Sequence, residues 1–94
     1  MSKLVRDRFP DIIRANGEDP IFHIAGEEEY ANALRSKLEE EVAEYSADPC
    51  AEEVADVEAV VRAIARHYGW DIDAVGARKE AERGGFEKRY ILGE

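Results

Sequence analysis

The chain has 94 residues, which is enough for one small domain and too few for a second hydrophobic core. Its 22 acidic and 13 basic side chains give a formal net charge of −9, which argues against a general binder of nucleic-acid polymers. Its apolar runs are far shorter than the roughly 20 residues of a membrane span, no secretory leader is recognisable, and the single Cys50 excludes an internal disulfide. We therefore expect a single cytoplasmic domain over residues 1–94.

The first third of the chain predicts a short helix followed by an extended segment. Proline favours the first turn of a helix and glycine favours its end, so a short helix is expected between Pro10 and Gly17. Residues 21–24 are too few for a helix and favour β structure. They could pair with a second extended segment at residues 89–92.

Three longer helices are predicted in the remainder. The first covers about residues 27–45, with three glutamates at its positive N-terminal end. The second begins at an Asp48 N-cap and continues to about residue 67. The third is capped by Asp71 and covers residues 72–83, before two glycines. Four helices with short connections predict an all-α fold, a small four-helix-type bundle with at most a minor terminal β element.

Acidic residues occupy helix positions where the apolar stripe calls for a hydrophobic side chain. Glu41 follows Leu34 and Leu38 at steps of four and three. Glu53 and Asp56 likewise extend the apolar line of the next helix toward its start. If the two helices pack antiparallel, four carboxylates meet near one end of the bundle: Glu41, Glu44, Glu53 and Asp56.

Converging carboxylates repel one another unless a cation or protons compensate. Oxygen ligands suit Mg²⁺ or Mn²⁺, and the absence of soft ligands beside them argues against zinc or copper. Because the chain contains 22 acidic residues, the same spacing also arises by chance on solvated helix faces, and spacing alone leaves that alternative open.

A second group of candidate residues is cationic. Lys79 and Arg83 are four residues apart on one helix face, and Lys3 and Arg6 lie near the N-terminus. Like charges at a spacing of four are mildly destabilising, and a bound polyphosphate would remove that conflict. Ordinary solubility charge is the alternative, and it is the simpler explanation for Lys3 or Arg6 taken alone.

Three motifs occur in the order found in a known family. Residues 37–44 and 53–56 read K-L-E-E-E-V-A-E and E-V-A-D, and they resemble the E-E-x-x-E … E-x-x-D signature of the all-α nucleoside triphosphate pyrophosphohydrolases, which include MazG-type and phosphoribosyl-ATP pyrophosphohydrolase-like proteins. Residues 3–10 resemble the K-L-V-R-D-K-I-P start of a small MazG-like subgroup. Residues 79–86 resemble its K-x-x-x-R-G-G-F ending. The resemblance covers nearly the whole chain.

The resemblance implies a Mg²⁺-dependent hydrolase, with Mn²⁺ as a substitute, that cleaves a nucleoside triphosphate or related nucleotide between its α and β phosphates. Carried over residue by residue, it assigns the metal ligands to Glu41, Glu44, Glu53 and Asp56, with Glu40 matching the first acid of the signature. Glu41 or Glu44 would orient or deprotonate the attacking water. The residues expected to contact the substrate are Lys79 and Arg83, with Lys3, Arg6 and Asp7 as further contacts.

Self-association is expected on two grounds. The predicted helix over residues 48–67 is apolar on more sides than a small monomer can cover, and members of the family are homodimers or larger assemblies. A non-catalytic helical dimerisation or regulatory module, with an acidic surface that binds a metal or a partner, is the alternative function. The nucleobase and the number of metal ions cannot be read from the sequence.

Overall fold

A computed structural model describes residues 2–93. Over this range it contains four helices and no strand: α1 (Phe9–Ala15), α2 (Glu27–Ala47), α3 (Ala51–Tyr68) and α4 (Ile72–Arg83). The expected all-α fold of four helices is confirmed. The expected pairing of residues 21–24 with residues 89–92 is wrong, because neither segment forms a strand.

The helices α2 and α3 pack against each other as a hairpin joined by residues 48–50. The apolar side chains buried within residues 2–93 all lie on this hairpin: Leu34 from α2, and Val60 and Ala65 from α3. Neither α1 nor α4 contains a buried residue. Among the described residues, the fully buried side chains therefore all belong to the hairpin.

Helix ends follow the predicted capping at α4 and depart from it at α3. The Asp71 carboxylate accepts a hydrogen bond from the backbone N–H of Ala74 at 3.0 Å, which confirms the N-cap of α4. The predicted Asp48 N-cap of α3 is wrong, because α3 begins at Ala51 with Cys50 as its N-cap. Asp48 ends α2 instead, and its backbone N–H donates to the Glu44 carbonyl. Its position just before a proline disfavours helical backbone there.

The chain is elongated, with dimensions of 52 × 31 × 22 Å. Its radius of gyration is 17.1 Å, whereas a compact domain of this length has about 12 Å. Its accessible surface is 8408 Å², compared with about 5,500 Å² for a folded monomer of this mass. The exposed surface includes apolar side chains, and the most exposed large hydrophobic residues are Ile21, Ile24, Phe86, Tyr90, Ile91 and Leu92. Along residues 2–93, no helix has both the length and the apolar character that crossing a membrane requires.

Candidate metal centre

The hairpin brings the predicted carboxylates together around Glu41. Glu41 is only 5% exposed, although it is ionisable, and it lies on the face of α2 that packs against α3. Its carboxylate forms one group with those of Glu53 and Asp56 on α3, in which the closest oxygens lie within 4.8 Å of one another. A second group of the same dimensions contains Glu41 with Glu40 and Glu44. Each of the other three predicted ligands therefore lies close to Glu41, which belongs to both groups.

Two buried carboxylate oxygens in this cluster have no hydrogen-bond partner among the described residues. They are the Oε2 atoms of Glu41 and Glu53. Leaving a buried acceptor unpaired costs about 1–3 kcal/mol, and more when the group is charged. A divalent cation would satisfy both oxygens, and an all-oxygen donor set is the kind that Mg²⁺ and Mn²⁺ prefer. The residues present therefore fit such an ion.

The ammonium of Lys37 is the nearest compensating charge. Its Nζ donates to Glu40 Oε2 at 2.8 Å and lies 3.2 Å from Glu41 Oε1. Burial lowers the pKa of Lys37, but its hydrogen bonds to the two carboxylates outweigh this and leave the pKa above its ordinary value. The hydrogen bond from Lys37 lowers the pKa of Glu40.

The pKa of Glu41 moves in the opposite direction. Burial raises it above its ordinary value, and the charge of Glu44 adds to that effect. The ammonium of Lys37 lowers the pKa of Glu41 but does not compensate fully. The contact with Lys37 therefore does not offset the effect of burial on Glu41.

A second cation reaches the cluster from the N-terminal segment. Arg6 Nη2 donates to Asp56 Oδ1 at 2.6 Å, which joins residues 50 positions apart in the sequence. Both side chains are partly exposed, at 67% for Arg6 and 36% for Asp56. The contact places the irregular segment before α1 beside the carboxylates.

A cavity of about 630 Å³ lies between this segment and the hairpin. The predicted substrate contacts Lys3, Arg6 and Asp7 line it, as do the predicted ligands Glu41, Glu44 and Asp56. Lys79 and Arg83 do not line it. They are exposed on α4, so within one chain the structure does not bring these two predicted contacts to the carboxylates.

Two further residues of the cavity were missed by the sequence reasoning. Lys37 stands three and four residues before Glu40 and Glu41, the spacing at which helix side chains meet. Arg66 lines the cavity from α3 and is ten residues after Asp56, on the same face as Ala59 and Ala63. Helical spacing alone therefore places Lys37 and Arg66 on the same helix faces as the carboxylates.

No protein-family model matches the chain, and no solved structure matches it. An uncharacterized protein of Mycolicibacterium smegmatis is 51% identical to this chain over 47 residues. That match covers 50% of this chain and 48% of the relative, so it spans about half the length of each. The resemblance to the pyrophosphohydrolases stays a prediction, and the functional argument depends on the geometry of the site.

Proposed function

We propose that the chain is a Mg²⁺-dependent nucleotide pyrophosphohydrolase of the MazG-like, all-α kind. One observation carries the proposal. Buried carboxylate oxygens of Glu41 and Glu53 have no partner, and they lie in a cluster beside a cavity that also exposes basic side chains. A triphosphate complexed with a divalent cation needs both features, because carboxylates hold the metal and cations hold the phosphates.

The size and charge of the cavity support this substrate class. Its volume of about 630 Å³ is in the range of small-molecule sites, roughly 300–1,000 Å³. Basic side chains approach the cluster from three elements: Lys3 and Arg6 from the N-terminal segment, Lys37 from α2 and Arg66 from α3. Acidic and basic groups thus face the same space.

The reaction is the addition of one water across the α–β phosphoanhydride bond, giving a nucleoside monophosphate and pyrophosphate. When bound, Mg²⁺ would neutralise charge on the phosphates and lower the pKa of the attacking water. Glu41, Glu53 and Asp56 would hold the ion, with Glu44 completing the set. Glu41 or Glu44 orients the water and accepts its proton. Arg6 and Arg66 stabilise charge on the phosphates, since guanidinium groups bind phosphate oxygens in pairs.

A homodimer or larger assembly is part of the proposal. The exposed apolar surface and the elongated shape support it, because a single chain leaves far more surface exposed than a folded monomer of its mass. In an assembly with two-fold symmetry, Lys79 and Arg83 of one copy would reach the phosphates of a substrate whose metal ion is bound by the carboxylates of another copy. This arrangement accounts for their absence from the cavity of the single chain.

The decisive experiment measures pyrophosphate release from a panel of nucleoside triphosphates by the purified full-length chain. We expect turnover of at least one nucleotide with Mg²⁺ or Mn²⁺, and loss of that turnover on adding EDTA. Formation of equimolar nucleoside monophosphate and pyrophosphate would identify the α–β phosphoanhydride as the cleaved bond.

The alternative, a non-catalytic helical module, makes a different prediction for the same samples. Such a module binds the metal or a partner without releasing pyrophosphate from any nucleotide. Absence of turnover across the panel, in protein that binds Mn²⁺, would overturn the proposed reaction and favour the module.

A further inference from the structure

Lys37 contacts one oxygen of the central carboxylate and leaves the other without a partner. Its Nζ lies 3.2 Å from Glu41 Oε1, whereas Glu41 Oε2 is buried and accepts no hydrogen bond from the described residues. The lysine side chain is itself only 16% exposed. The two oxygens of Glu41 thus differ in their surroundings, because Oε1 contacts Lys37 and Oε2 has no partner among the described residues.

We propose that Lys37 is a positioning residue of the metal centre. It contacts Glu41 at Oε1 and thereby keeps Oε2 available to a cation that Glu41, Glu53 and Asp56 would hold. The inference rests on the metal centre of the proposed function, and it adds a residue that acts on the ion through a ligand.

The carboxylate of Glu41 requires a contact that fixes its orientation. It is surrounded by the like charges of Glu44, Glu53 and Asp56, which would turn an unrestrained side chain away from the cluster. A hydrogen bond from outside the metal sphere fixes the rotation of a ligand, and loss of such a partner typically weakens metal binding by about 10–100-fold.

The contact between Lys37 and Glu40 determines whether removal of Lys37 weakens or strengthens metal binding. It accepts the shorter hydrogen bond from Lys37, at 2.8 Å, so the ammonium enters the site already paired with a carboxylate. The Lys37–Glu40 pair is neutral as a unit and offers little net repulsion to an incoming cation. Removal of Lys37 should therefore weaken metal binding through lost orientation, and it should not strengthen binding through lost repulsion.

The test is the Kd of Mn²⁺ alone, measured by electron paramagnetic resonance titration on the full-length chain. In Lys37→Met, which keeps the length of the side chain without its charge, we expect Mn²⁺ to bind about 10–100-fold more weakly. Lys37→Arg should restore most of the affinity, because a guanidinium can also bridge two carboxylates. Arg35→Met is the matched control, since it removes one positive charge from an exposed position of the same helix and should leave the Kd unchanged.

Glu40→Gln keeps the proposal testable if Lys37→Met fails to fold. It retains Lys37 but weakens the anchor of its ammonium, so we expect an intermediate loss of Mn²⁺ affinity with helix content preserved by circular dichroism. An unchanged Kd in folded Lys37→Met would reduce the lysine to a structural role. A tighter Kd would make it a competitor of the metal, and either result overturns the inference.

The failure of this inference differs from the failure of the proposed function. Wild-type protein that binds Mn²⁺ but hydrolyses no nucleotide overturns the reaction, while the loss of Mn²⁺ affinity in Lys37→Met still supports the positioning role. Wild-type protein that binds no Mn²⁺ overturns both. Unchanged affinity in Lys37→Met, with nucleotide hydrolysis intact in the wild type, overturns the inference alone.

Discussion

The α2–α3 hairpin and helix α4 are both regular helical structure, but they are stabilised differently. The hairpin buries Leu34, Val60 and Ala65 between its two helices. Helix α4 contains no fully buried residue, and an ion pair of 3.2 Å between Arg62 and Asp73 links it to α3. An exposed pair of this kind contributes about 0–1 kcal/mol. Helix α4 is therefore specified by its caps and its local sequence, whereas tertiary packing specifies the hairpin.

The comparison also locates the chemistry. The hairpin places an ionisable side chain, Glu41, at a position as well buried as its apolar core. Burial of a carboxylate costs free energy in the metal-free fold, and this cost supports the proposed metal centre. Helix α4 carries its charged residues on exposed surface, where they remain solvated and incur no desolvation penalty. In one chain, the hairpin carries the candidate metal ligands, whereas the cations of α4 lie outside the cavity.

The largest expected effect concerns the buried carboxylates. Glu41→Gln and Asp56→Asn should each reduce pyrophosphate release by more than about 100-fold, because loss of an outer partner of a metal site already costs 10–100-fold. Each change removes a charge at nearly constant volume, so helix content measured by circular dichroism should not change. Turnover with saturating Mg²⁺ is the measurement.

Glu39→Gln is the control for that prediction. It makes the same chemical change on α2 at an exposed position that does not line the cavity. We expect its turnover to equal that of the wild type. Equal losses in the exposed and the buried variants would show that net charge, and not the cluster, governs activity.

The second prediction concerns the surface that the hairpin and α4 leave uncovered. Light scattering at micromolar concentration should report at least twice the chain mass of 10.6 kDa. Phe86→Ser should raise the dissociation constant of the assembly at least about tenfold, because burying a phenylalanine contributes roughly 1.5–3 kcal/mol and Phe86 is 94% exposed in one chain. A monomeric wild type with full activity contradicts both the assembly and a site shared between copies.

Mixing two inactive variants sharpens this prediction. Glu41→Gln lacks a ligand and Lys79→Ala lacks a cation, so in a shared site a mixed dimer contains one complete site. Partial recovery of turnover on mixing is the expected result. Additive residual activity without recovery would contradict a site shared between the two copies.

The third prediction is that metal stabilises the hairpin. A divalent cation that binds only the folded chain adds about 2.7 kcal/mol at a concentration of 100 times its Kd. For a domain of this size, that corresponds to a rise of roughly 10 °C or more in Tm. Thermal melts with EDTA and with millimolar Mn²⁺ measure it, and identical melts contradict a preformed site.

The smallest expected effect is a pH dependence in the absence of metal. Burial raises the pKa of Glu41, so its contribution to stability is complete below the ordinary glutamate pKa and is lost as pH rises through the raised value. In EDTA at pH 7, Glu41→Gln should therefore be more stable than the wild type by on the order of 1 kcal/mol. The difference should shrink toward pH 4. A variant less stable than the wild type at pH 7 would contradict this sign.

Much of the fold and of the site was predictable because both depend on helical periodicity. The spacing that places Glu41 on the line of Leu34 is the spacing that buries it, and Asp71 caps α4 as its residue type suggests. The tertiary features were not predictable in this way. The Arg6–Asp56 contact depends on where an irregular segment settles against α3, and no local pattern encodes that path.

The start of α3 shows the same limit. Asp48 and a following proline satisfy the rules for a helix N-terminus, but the short connection uses Asp48 to end α2. Local rules identify residues that can cap, and the packing of the hairpin decides which helix they cap.

The Arg6–Asp56 ion pair has a consequence for entry into the cavity. It closes a loop of 50 residues, and an exposed pair repays little of the entropy lost in closing it. Residues 2–8 are irregular in structure, and only Leu4 and Val5 among them are half-buried. Such segments detach at low free-energy cost long before the global unfolding of a domain. Detachment of this segment would remove one side of the cavity, and raising the ionic strength should favour detachment by screening the Arg6–Asp56 contact.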